Sequence, residues 1–158
     1  MRAVLGKLER VLDVLGTLLV WISLAAISIQ VFFRYVLGNA TTWSDTVAAT
    51  SLAWMTFFAG TAAVRRDENM AIGFLVDRFG PKGRKAADTF GHLAVLAFAL
   101  ALTYSGVILM DVTKDAVVEG FGFEVKWSQF YSVSVISGVL MALFTLERLL
   151  VLWLPERP

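Results

Sequence analysis

The chain has 158 residues, 58% of them hydrophobic and 17% charged. A soluble domain averages about 45–50% apolar and about 25% charged, and here the charges sit in blocks between long apolar runs, which excludes an ordinary soluble fold. The lack of cysteine excludes disulfides, thiolate metal sites and cysteine nucleophiles, and the net charge of +1 is informative only in how it is distributed.

Four charge-free stretches run 14–33, 46–64, 89–110 and 127–146. Each has roughly the 20 residues that a helix needs to cross about 30 Å of hydrocarbon. None alternates in polarity as a barrel strand must, and Pro81, Pro155 and Pro158 all lie outside them. The expectation is one all-α domain over 1–158: a bundle of four transmembrane helices at about 12–36, 44–64, 86–111 and 127–152.

The first run follows Arg2, Lys7 and Arg10, a basic start shared by signal peptides and membrane anchors. Its length exceeds a signal core of 7–15 residues, so it is read as a retained span. Gln30, late in this span, suits a hydrogen bond to a neighbouring helix. Between the first two spans, Arg34, Tyr35 and Trp43 suit interfacial anchoring. Thr42 or Ser44 can cap the second span, with Asp45 in its first turn, where the helix dipole favours an acid. Anchor and cap are the favoured roles of Trp43 and Asp45, with contact to a partner as the alternative.

After the second span, polar residues recur at Arg66, Asn69, Gly73, Asp77 and Gly80, with Met70, Phe74 and Phe79 among the apolar residues between. That helical spacing predicts an amphipathic helix over 66–80. It either lies in the membrane interface or packs on the end of the bundle. Gly80-Pro81 ends it. The third span carries His92, the sole histidine, near its start. It is expected to continue as a solvated helix through Asp111, Lys114, Asp115 and Glu119, with Gly120 and Gly122 turning the chain into Trp127. Small residues at Ala97, Ala101 and Ser105 in the third span, and at Ser134, Gly138 and Ala142 in the fourth, recur every fourth position and predict close helix packing, either within this bundle or against another protein.

Eleven of the 14 basic residues fall in alternate segments: the N-terminus, the loop from Arg65 to Lys85, and the C-terminus. The positive-inside rule then places both termini in the cytoplasm. No Asp, Glu, Lys or Arg lies in the four central stretches. Ion-coupled carriers place ionisable or unwound segments near the midplane, so the sequence favours a scaffold over a moving, substrate-binding carrier. The lone histidine disfavours a haem held by two axial histidines.

The stretch Phe33-Arg34-Tyr35-Val36-Leu37-Gly38, followed by Thr42-Trp43-Ser44-Asp45, resembles the small membrane subunit of TRAP (tripartite ATP-independent periplasmic) transporters, the DctQ-like family. Trp54, Arg65, the basic turn from Pro81 to Lys85 and the closing Glu147-Arg148-Leu149 are similar to that family too. The chain departs from its pattern in three places: Thr46 in place of a second glutamate, Val47-Ala48-Ala49 in place of a following arginine, and Glu68-Asn69-Met70 in place of Gly-His-Ile. The resemblance implies a non-enzymatic scaffold subunit of the bacterial inner membrane, working with a large membrane subunit and a periplasmic substrate-binding protein. It implies ion-gradient-driven uptake of organic acids, typically carboxylates. No cofactor is implied for this chain, with sodium bound on the large subunit. Arg34, Trp43, Asp45 and Trp54 become the candidates for contact with that subunit. The alternatives are a stand-alone four-helix carrier and a membrane anchor for a redox enzyme.

Overall fold

In a computed structural model, residues 2–38, 42–66, 81–118 and 125–153 are described. Helix α1 spans Arg2–Val36, α2 Thr42–Arg66, α3 Pro81–Val112 and α4 Trp127–Trp153. All four are long and apolar enough to cross a membrane, with the qualifying spans at Gly6–Val36, Trp43–Arg66, Gly83–Val112 and Trp127–Trp153. Large apolar side chains such as Trp21, Phe90, Phe98 and Tyr104 point outward, as expected where the surrounding solvent is lipid rather than water. The chain is an all-α, multi-pass membrane protein.

Helix α1 ends where Gly38 takes φ +65°, the left-handed conformation that glycine adopts at helix C-termini without steric cost. The helices form two antiparallel hairpins, α1 with α2 and α3 with α4, joined through a smaller α2–α4 contact. The bundle is therefore a row in the order α1–α2–α4–α3. Its central cluster is built from Leu12, Phe58, Val64, Ala99, Val133, Met141 and Phe144.

The α3–α4 seam is the tightest. A Cβ placed on Gly138 would run into Thr103 Oγ1 and lie 2.9 Å from the Ala99 carbonyl oxygen. One on Gly106 would run into Ser134 Oγ and lie 2.9 Å from Val135 Cγ2. Only glycine lets the two backbones approach this closely.

The helical continuation expected through Glu119 stops at Val112. Thr113 and Lys114 close a turn through bonds from their amides to the Leu109 and Asp111 carbonyls. The chain then extends as strand β1 (Val117–Val118), paired antiparallel with β2 (Val125–Lys126), with Val117 opposite Lys126 and Val118 opposite Val125. Adjacent β-branched valines favour the extended form over another helical turn, and the Trp127 amide donates to the Ala116 carbonyl at 3.0 Å. Apart from Arg66, the last residue of α2, the amphipathic segment expected over 66–80 with Met70, Phe74 and Phe79 lies outside the described residues.

Candidate functional site

The charged side chains among the described residues gather at the two ends of the helices. At one end, α2 begins with Trp43 and Asp45, both exposed, and with Ser44 fully buried. Asp45 stands in the first turn, where the partial positive charge of the helix terminus favours it. Arg34 is exposed at the corresponding end of α1, with its guanidinium carbon 6.0 Å from the Tyr35 ring centroid.

Below this end a groove of about 540 Å³ opens between α2, α3 and α4. Asp45, Thr46 and Thr50 line its mouth from α2, with Trp54 and Phe57 deeper, while Trp127 and Phe130 face them from α4. The Trp54 indole N–H donates to the Phe130 carbonyl at 2.9 Å, which ties α2 to α4 and orients the ring in the groove wall. Among the described residues Asp45 makes no ion pair.

The opposite end holds a charge cluster that unites three helices. Arg65 pairs with Glu147 of α4, and its Nε lies 3.9 Å from Glu9 of α1. Arg66 pairs with Glu9 at 2.9 Å and with Asp13. Arg148 donates to the Arg65 carbonyl at 2.7 Å. The Arg65 guanidinium lies 5.6 Å from the centroid of the buried Phe144 ring. Among the described residues, Glu9, Asp13 and Glu147 thus meet Arg65 and Arg66, while Arg148 bonds the backbone of Arg65. The Arg65 and Glu147 side chains are only 14% and 10% exposed, so neither can lose its partner without leaving an uncompensated charge in a poorly solvated place.

Of the predicted packing residues, Ser134 and Gly138 are buried in the α3–α4 seam and Ala142 is half-buried. The α3 residues opposite them are Ala99, Thr103 and Gly106. Ala97 and Ala101 are exposed, and Ser105 lines the groove. The charge cluster was not anticipated from the sequence, although its signal was present: the start of α1, the end of α2 and the end of α4 must share one membrane face, and each carries charge there. Among the described residues no three of His, Asp and Glu are grouped to hold a metal ion.

This fold and these surfaces define a polytopic helical membrane protein whose central stretches carry no Asp, Glu, Lys or Arg. Residues 23–154 match the family described as the DctQ component of tripartite ATP-independent periplasmic transporters, and the chain belongs to that family. It is thus one component of a three-part transport system. No curated protein matches the chain.

Proposed function

We propose that this chain is the small, non-catalytic scaffold subunit of a TRAP-type secondary transporter. It supports the large membrane subunit in ion-gradient-driven uptake of organic acids, which a periplasmic binding protein delivers. The membership in the DctQ family carries this reading. The charge-free interior of the spans supports it, because a carrier that moves ions and acids needs polar groups at the midplane. The cross-linking of three helices by the charge cluster also suits a part that stays rigid while another moves.

In this reading the protein lies in the inner membrane with both termini, the charge cluster and the basic turn at Arg84 and Lys85 on the cytoplasmic side, by the positive-inside rule. The Trp43 end then faces the periplasm. Arg34, Trp43 and Asp45 are the contacts offered to the large subunit near that face, and the groove wall at Trp54 continues the surface inward. An exposed indole beside an acid that makes no ion pair among the described residues is the composition expected of an interface anchor.

Substitution tests this assignment. Trp43→Ala and Asp45→Ala, made in the chain co-expressed with the large subunit, are expected to reduce the assembled fraction in size-exclusion chromatography while leaving the chain itself in the membrane. Assembly at wild-type level in both variants would remove these residues from the interface.

A further inference from the structure

At the charge-cluster end, a second groove of about 460 Å³ opens on the outer flank of the α3–α4 hairpin. Ala86, Thr89, Phe90 and Leu93 form a single stripe along α3, and Trp153 closes the groove from the end of α4. Phe90 is 76% exposed and Trp153 61% exposed, so the groove is open to whatever surrounds the helices. Lys85 stands at its mouth, with its ammonium 4.3 Å from the Trp153 ring centroid.

We propose that this groove is a binding site for one anionic phospholipid, with the phosphate at Lys85 and an acyl chain along Phe90 and Leu93. The groove has the two-part chemistry such a molecule needs. Its floor is apolar, and its single cationic group sits at one end rather than midway. The indole holds the ammonium by a cation–π contact, which fixes the lysine at the mouth and leaves its remaining N–H donors available.

Among the described residues Lys85 makes no ion pair, and Asp88, one turn further along α3, makes none either. This contrasts with Arg65 and Arg66, whose carboxylate partners come from the chain itself. Among the described residues no carboxylate pairs with the ammonium at the groove, which leaves it open to an anion from outside. Thr89 donates its hydroxyl to the Lys85 carbonyl at 2.7 Å, so it offers no competing donor in the groove. Basic pockets between helices at a membrane face bind anionic headgroups for these reasons. The inference needs only membrane residence and stands apart from the transport reading.

Quenching of Trp153 measures occupancy. The full chain is reconstituted in phosphatidylcholine vesicles and titrated with brominated phosphatidylglycerol in one series and brominated phosphatidylcholine in the other. The Trp153 signal is the difference between the wild type and Trp153→Phe. Phosphatidylglycerol is expected to quench at about fivefold lower mole fraction, the factor that corresponds to the ~1 kcal/mol contributed by one basic residue near an anionic surface. Lys85→Gln should bring the two curves together, and Lys85→Arg should keep them apart. Coincident curves in the wild type, or an undiminished preference in Lys85→Gln, would overturn the proposal. So would full protection of Trp153 from both lipids in the assembly extracted from native membranes, because a protein would then occupy the groove.

Discussion

At the scale of single residues, Arg65 does the most. It closes α2, meets Glu147 on one side and Glu9 on the other, and covers the Phe144 ring. Removing one member of a buried pair is costly because the other charge remains behind, whereas removing both is often close to neutral. Arg65→Met is therefore expected to destabilise the solubilised chain by about 3–5 kcal/mol, and Arg65→Met combined with Glu147→Leu should recover most of that loss. Thermal unfolding of the single and double variants in detergent measures the difference; a double variant that is no more stable than the single would show that the pair does not act as a unit. The sequence marked Arg65 and Glu147-Arg148 only as points of family likeness. Their meeting was not legible because 82 positions separate Arg65 from Glu147, and periodicity reports only on neighbours within one helix. Trp54 illustrates the same limit: its indole N–H reaches the Phe130 carbonyl on another helix, a partner that spacing alone does not reveal.

At the scale of elements, the spans were legible because the hydrocarbon thickness dictates helix length and the absence of water demands helical hydrogen bonding. The faces of those helices were less so. Ser134 and Gly138 do lie in the α3–α4 seam, yet their counterparts on α3 are Ala99, Thr103 and Gly106, not the row through Ala97 and Ala101. In lipid both faces of a span are apolar, so no amphipathic pattern marks the buried side, and two small-residue rows on one helix read alike. Steric contact separates them. Gly138→Ala must displace the Ala99 carbonyl and Thr103, at a cost of about 1–3 kcal/mol typical of overpacking. Ala101→Leu, on the exposed row, should change the stability of the isolated chain by no more than about 0.5 kcal/mol. Because the chain has no native cysteine, engineered cysteine pairs across the seam also report on loosening: oxidative cross-linking should broaden to several registers in Gly138→Ala and stay specific in Ala101→Leu. Equal behaviour of the two variants would mean that the seam is not sterically limited. The end of α3 was misread for a related reason. The charges after Met110 have helical spacing, but the valines at 117 and 118 pair across the loop with Val125 and Lys126, and their β-branched preference for an extended chain outweighs that spacing.

At the scale of the whole molecule, the helices form a row stitched together at its three seams and at the charge cluster, and both grooves open outward from it. A closed bundle would bury its polar residues inward. A row has two broad flanks, which suits a component that lies alongside something larger. The family could be recognised in the sequence because the Arg34 to Asp45 segment joins two spans whose boundaries are physically constrained. The surface that meets a partner could not, because it depends on how the hairpins are set against each other. The charge-free central stretches and the tied ends together support the proposal that the chain serves transport without carrying the substrate itself. The most direct test is reconstitution of the purified chain, of the large membrane subunit, and of both together in liposomes, with an imposed sodium gradient, the binding protein and a carboxylate substrate outside. The account predicts stable co-purification of the two membrane subunits and gradient-driven uptake only when both are present. Uptake by this chain alone, or full uptake by the large subunit without it, would contradict the account.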